Sequence, residues 1–256
     1  MTRAGVWLLG WVWWLLLPIR RSVAWNNLQQ AIPGASAHRL RHAVGSVAWG
    51  YLELLVGPEV DWRGLEAARG GAVLFTAHLG PWDPCLVEAA RIAPLTVFLK
   101  VPSSGAAAWA VRRLRMRPGV DLEALPVKDA MEAAHKALQR GRLIVFVLDQ
   151  RHNAGIPVDF FGRPAWTSAA FAAMVHRHRP RLFASHQWRD ASGRLHARAV
   201  PLDWSVPEDR TEAIQALTAR SQQWIEARVR ETPGDWWWLH KRWKRPTQTP
   251  HTPPRS

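Results

Sequence analysis

Among the histidines of this chain, one stands five residues ahead of an acid. His78 is followed by Leu79-Gly80-Pro81-Trp82 and then Asp83, and no other histidine has Asp or Glu at that distance. The step crosses a tight Gly-Pro turn, so the carboxylate can fold back onto the imidazole. Asp83 would then hold one ring N–H, fix the tautomer and stabilise the imidazolium that forms. The other ring nitrogen is left to take a proton from a substrate hydroxyl. A histidine that caps a helix or is satisfied in the core is the alternative reading of the same spacing.

Position supports the chemical reading. Ala72–Thr76 is a short apolar run with strand character, His78 comes just after it, and Pro84–Ala93 reads as a helix with Pro84 in the favoured first turn. Around this unit, strands are expected at Leu95–Leu99, Leu143–Leu148, Leu182–Trp188 and Leu195–Pro201. Leu143–Leu148 is a solid apolar run of the kind buried on both faces. Helices are expected at Ser36–Val56, Ser103–Met116, Ala130–Arg140 and Arg210–Arg230, with Thr167 or Ser168 capping one more. Asp149 to Ala165, rich in Gly and Pro, reads as a loop. Alternating strands and helices predict an α/β domain: a central, mostly buried sheet flanked by helices, with ligands at the strand ends.

The N-terminus is different. Val6 to Ile19 is apolar, rich in Trp, and bracketed by Arg3 and Arg20-Arg21. At about 14 residues it is shorter than the roughly 20 needed to span a bilayer upright. No small-residue cleavage site follows it. It reads as a membrane-associated helix over residues 1–21, ahead of one catalytic domain over 22–246 and a Pro/Thr-rich, disordered tail over 247–256.

Composition narrows the partners. The formal net charge is +14, from 34 Lys+Arg against 20 Asp+Glu, which asks for an anionic partner. Seventeen Trp beside a single Tyr favour a membrane–water interface over a nucleic-acid stacking platform. A lone Cys85 excludes an internal disulfide and a multi-cysteine zinc site. His176, His178 and His186 have no acids or cysteines near them that would make a metal site. No metal, no cofactor and no nucleic acid are expected.

His78-Leu79-Gly80-Pro81-Trp82-Asp83 resembles the His-x4-Asp/Glu motif of the lysophospholipid acyltransferase superfamily, and its context is similar to that of the lipid A biosynthesis (lauroyl/myristoyl) acyltransferases. Three other stretches agree, in order along the chain: Arg20-Arg21 through Asn26-Asn27-Leu28 to Ile32-Pro33, then Val158-Asp159-Phe160-Phe161-Gly162-Arg163-Pro164-Ala165, then Asp235-Trp236-Trp237-Trp238-Leu239-His240-Lys241-Arg242-Trp243-Lys244. Four ordered motifs are far more specific than one.

The resemblance implies a glycerolipid acyltransferase-like fold. It also implies transfer of a fatty acyl chain from an acyl carrier protein or coenzyme A thioester to a lipid hydroxyl, without a covalent enzyme intermediate. His78 would be the general base and Asp83 its orienting partner; Cys85 would be packing. The partners would be membrane lipids, a lipid A precursor first, on the cytoplasmic face of a bacterial inner membrane. The same chemistry on a lysophospholipid, aminolipid or glycolipid is the nearest alternative, and a non-catalytic membrane-binding protein is the alternative of another class.

Two departures from the family pattern concern the acceptor. Asp83 stands where lipid A enzymes often have Glu, and Lys100 where they commonly have Arg, so charge is kept but not a bidentate fork. Substrate-binding roles are expected for Lys100, for Arg115 on the basic helix with Arg112, Arg113 and Arg117, and for Arg163, which follows Gly162 and would reach a phosphate or oxyanion. Gly162 and Asp149 are counted among the substrate-binding residues too, and Asp149, beside Gln150, would orient that loop. Trp236–Trp238 with Lys241, Arg242 and Lys244 reads as an interfacial aromatic and basic cluster.

Overall fold

In the computed structural model, residues 2–98, 105, 109, 113, 122–125 and 130–245 are described. Three helices come first: α1 (Thr2–Leu15), α2 (Arg21–Ala31) and α3 (His38–Val56). Next are β1 (Val60–Arg63), a 3-10 turn (Leu65–Ala68), β2 (Ala72–Thr76), α4 (Trp82–Ile92), β3 (Leu95–Phe98) and β4 (Leu122–Leu125). The chain continues through α5 (Ala130–Gln139), β5 (Leu143–Val147), the hairpin β6 (Ile156–Asp159) and β7 (Pro164–Thr167), and α6 (Ala170–His178). It closes with β8 (Leu182–Arg189), β9 (Leu195–Leu202) and α7 (Arg210–Glu231).

Seven strands form one mixed sheet in the order β1-β9-β8-β2-β5-β3-β4. The strands from β8 to β4 are mutually parallel, β9 runs antiparallel to β8, and β1 lies parallel to β9. Neighbouring strands of the centre, β2 and β5, have almost every residue buried, because helices cover both faces. Side chains alternate between two cores. Val73, Phe75, Ile144 and Phe146 face α5, α6, α7 and the C-terminal aromatics. Leu74, Val97, Leu143 and Val145 face α4 and the 3-10 turn. The α/β sheet flanked by helices is as the sequence implies.

Two differences have physical causes. The stretch from Asp149 to Ala165 is not wholly loop. Ile156–Asp159 pairs antiparallel with Pro164–Thr167, and Gly162 at φ 71° supplies the left-handed turn that joins them. Its Pro residues sit in a two-stranded edge, where a missing N–H is tolerated. Ser168 rather than Thr167 stands at the start of α6, its hydroxyl accepting from the Ala170 N–H at 3.3 Å. The Thr167 hydroxyl is turned to the Ala165 carbonyl instead. The expected helix over Ser103–Met116 falls largely outside the described residues, as does the tail beyond residue 245.

α1 lies antiparallel on α3, with Gly5 beside Trp49 and Gly10 beside Arg41. The approach needs glycine: a Cβ on Gly45 would stand 2.0 Å from the Val6 carbonyl oxygen. One side of α1, Val6, Gly10 and Trp13, is buried, while Trp7 and Leu8 remain exposed. No helix among the described residues is long and apolar enough to cross a membrane.

Candidate active site

β2 and β5 are neighbours in register, Thr76 opposite Val147. Two residues beyond that pair stand His78 and Asp149, so the sheet itself brings them together. His78 Nδ1 lies 2.7 Å from one Asp149 carboxylate oxygen, and the His78 backbone N–H donates to the other at 2.9 Å. That second oxygen also accepts from the Trp236 indole N–H at 2.8 Å. Asp149 is 2% exposed. Burial by itself pushes its carboxyl up; the positive His78 ring, the two His78 hydrogen bonds and the Trp236 indole outweigh that and hold it at about 2. It is an ionised carboxylate fully occupied with positioning His78. Asp149, expected among the substrate-binding residues, thus stands directly on His78.

The Nδ1 contact expected of Asp83 is therefore made by Asp149. Asp83 sits in the first turn of α4, 3% exposed, and lines the same cavity as His78. His78 Nε2 faces the Gln150 side-chain amide at 3.2 Å. One tautomer satisfies both neighbours: the proton on Nδ1 goes to Asp149, and the Nε2 lone pair accepts from Gln150. In that tautomer Nε2 carries the lone pair, and the exposed Gln150 amide lies against it. The ring is set edge-on to Trp82 with centroids 4.8 Å apart, which fixes its plane.

The C-terminal segment clamps both halves of this site. Gly80 N–H donates to the Asp235 carbonyl, and Trp237 N–H to the His78 carbonyl. Arg151 N–H donates to His240 Nε2 at 2.8 Å, and Arg242 donates to Trp166 O, Thr167 Oγ1 and Gln222 Oε1. Asn27 of α2 holds the segment from behind through the Trp238 and His240 carbonyls. Burial pushes His240 down to about 4, against the pull of Asp149, so it accepts as a neutral ring. Trp236, Trp238 and Arg242 are completely buried. That corrects the reading of an interfacial cluster for these three, which form an inner brace, while Trp237 is half-buried and Lys241 and Lys244 are exposed.

Beside His78 opens a narrow cavity of about 110 Å³. Thr76, Ser185 and Gln187 supply polar groups near its mouth, and Gln187 is fixed by a hydrogen bond to the Ala77 carbonyl. Inward it is apolar. Val147, Val145 and Leu143 follow each other along β5, Val97 and Leu95 along β3, with Leu86 and Ala89 of α4 across from them. No lysine or arginine lines it among the described residues. Cys85 lines it too, but burial pushes its thiol far above the ordinary value, so it is no nucleophile.

The other expected site residues lie elsewhere. Arg163 contacts Gln30 of α2 and stacks over the Trp243 ring at 5.2 Å. Gly162 forms the hairpin turn, its N–H on Asp159. Neither lines the cavity at His78. Lys100 and Arg115 fall outside the described residues. Among the described residues no cluster of His, Cys, Asp or Glu could hold a metal ion.

The model of the bacterial lipid A biosynthesis acyltransferase family matches residues 57–245, well over half of the chain. No curated protein matches. Among solved structures, the chain is similar to the 1-acyl-sn-glycerophosphate acyltransferase PlsC of Thermotoga maritima, with 11% identity, a TM-score of 0.39, and 89% of this chain and 100% of that one covered. The matched span holds His78, Asp83, Asp149, Trp236 and the whole cavity, and the chain belongs to the bacterial lipid A biosynthesis acyltransferase family and is an acyltransferase.

Proposed function

We propose that the protein moves a fatty acyl chain from a carrier thioester, on acyl carrier protein or coenzyme A, to a hydroxyl of a lipid A precursor at the cytoplasmic face of the inner membrane. The observation that carries this is one juxtaposition: the basic Nε2 of an Asp149-held His78 at the mouth of a narrow apolar cavity. The acceptor hydroxyl displaces the Gln150 amide and gives its proton to Nε2. Its oxygen attacks the thioester carbonyl, and the tetrahedral oxyanion collapses with the C–S bond breaking. The leaving thiolate takes the proton back from His78, so the ring ends neutral. Asp149 fixes the ring and stabilises the imidazolium between the two transfers. Asp83 shares the cavity and is the second acidic residue of the site.

The cavity suits one extended chain rather than a headgroup. From Val147 to Leu143 is four residues, so at ~3.3 Å per residue its depth is about 13 Å, the length of roughly ten extended methylenes. Lys100 and Arg115 are proposed to hold phosphate or carrier.

The test is transfer in detergent from a labelled acyl-carrier thioester to a panel of lipid A precursor, lysophospholipids and lyso-aminolipids, with His78→Ala beside wild type. Transfer to the lipid A precursor that falls by about 10²–10⁴ in the variant is expected for a lost general base. Equal activity in the variant refutes the mechanism. Transfer to a lysolipid alone refutes the acceptor.

A further inference from the structure

A second cleft, of about 630 Å³, lies between α1, α3 and the β8–β9 turn, and it shares no lining residue with the cavity at His78. Arg3, His38, Arg41, His42 and Arg189 face it, with Asp190 as the acid. The cleft is built rather than incidental. The β8–β9 turn packs on the start of α1, Gly193 against Thr2, and the Arg41 guanidinium lies over the Trp11 ring at 4.1 Å and the Trp14 ring at 5.6 Å.

The charges there do not balance. Glu53 takes Arg189 through two bonds of 2.9 and 2.6 Å. Asp190 is occupied by Ser192, the Arg194 N–H and His196. Asp235, from the C-terminal brace, stands 3.6 Å from His42. Among the described residues no carboxylate pairs with Arg3, Arg41 or His38. Burial first, and then His42, Arg41 and Arg39, push the His38 ring below its ordinary value, so it faces the cleft as a mainly neutral imidazole.

The surroundings say which anion fits. Trp7, which lines the cleft, is 59% exposed, and Leu8 beside it 56%. α3 runs antiparallel to α1, so its exposed end, Leu52, Leu55 and Val56, lies toward the start of α1. Exposed Trp and aliphatic side chains beside unpaired cations are the pattern of a helix pair seated at a lipid headgroup layer.

We infer that the cleft between α1, α3 and the β8–β9 turn binds the phosphate of an anionic membrane lipid, on the cations Arg3 and Arg41 with a ring N–H of His38 as a neutral donor, and with Trp7 beside it in the interface. The site goes beyond the chemistry at His78 and stands or falls separately from it.

The test is flotation of the full chain with vesicles of phosphatidylcholine alone or mixed with phosphatidylglycerol. Arg3→Gln with His38→Gln is compared with Arg177→Gln with Arg210→Gln, exposed cations on α6 and α7. Phosphatidylglycerol-dependent binding is expected to fall at least fivefold in the cleft variant, since the Arg3 charge near an anionic surface contributes about that factor and the His38 donor adds to it. The control variant and phosphatidylcholine binding are expected to stay unchanged. Equal losses in both variants mean diffuse charge and overturn the site. Millimolar inorganic phosphate that shifts the His38 ring resonances, while the cleft variant still floats like wild type, means a soluble phosphate ligand and overturns the lipid. If the double variant melts early, the exposed Arg3→Gln alone carries the comparison, with a loss expected and none overturning it.

Discussion

Asp149→Asn tests the positioning of His78 most sharply. One Asp149 oxygen accepts two N–H donors, the His78 backbone at 2.9 Å and the Trp236 indole at 2.8 Å; the other meets His78 Nδ1 at 2.7 Å. In the asparagine variant the single amide oxygen must stay with the two backbone and indole donors, since an amide NH₂ there would face both of them. The NH₂ is then turned to Nδ1 and donates to it. That forces the ring proton onto Nε2, the nitrogen that has to accept the substrate proton. The fold keeps its shape, but the imidazole holds the wrong tautomer and loses the charge that stabilises its protonated form. For a serine protease triad the equivalent change costs about 10⁴ in kcat. A loss of about 10³–10⁴ is expected here, or roughly 4–5.5 kcal/mol in the barrier, with KM little changed because Asp149 touches no substrate. The assay is initial-rate acyl transfer at saturating acceptor, with thermal melting as the fold control. A loss under tenfold in a normally folded variant refutes the argument and returns the orienting role to Asp83.

Trp236→Phe removes only the indole N–H from Asp149 and keeps an aromatic ring in the brace. It is expected to lower kcat by about tenfold at unchanged KM, consistent with one charge-assisted hydrogen bond of about 1.5 kcal/mol or more; steady-state kinetics read it. Ala89→Phe fills the inner half of the cavity from α4. Excluding about four methylenes at ~0.8 kcal/mol each costs a long donor about two hundredfold against a donor four carbons shorter, and competition between the two donors measures it. Stability should fall on acidification. Burial pushes both His186 and His240 down to about 4, so between pH 6.5 and 4 the unfolded chain takes up protons that the folded chain refuses. Their contribution is complete above about 6.5 and shrinks as pH drops toward 4. His186, whose Nδ1 is buried among Trp188, Trp224, Arg198 and Arg228, is replaceable by Phe. Melting of His186→Phe against pH should show a shallower slope below pH 6, and an unchanged slope counts against the account.

His78 was legible because its setting is local: an apolar run, a Gly-Pro turn and a Pro at a helix start. So were β2, β5, β8 and β9, whose apolar runs match their strands within a residue or so. The Asp149 contact to His78 was not, because it joins residues 71 apart and depends on β2 and β5 being neighbours in register. The sequence does carry a hint. Both strands are solid apolar runs, and each is followed two residues on by an ionisable group. The C-terminal run misled for another reason. Trp, Lys and Arg together have the composition of an interface, yet Trp236 and Trp238 are buried and Arg242 with them. Composition does not distinguish a ring at a headgroup from a ring bracing a catalytic loop. The setting of Arg163 was not legible from its position after a glycine: the hairpin turn puts it beside Trp243 and Gln30, away from the cavity at His78.

The most direct measurement of the central claim is a crystal structure with a non-transferable thioether analogue of a medium-chain acyl donor. The alkyl chain is expected along Val147, Val145 and Leu143, between β5, β3 and α4, and the carbonyl analogue beside His78 Nε2 with Gln150 displaced. An alkyl chain bound elsewhere, with the cavity closed and Gln150 still on Nε2, contradicts it.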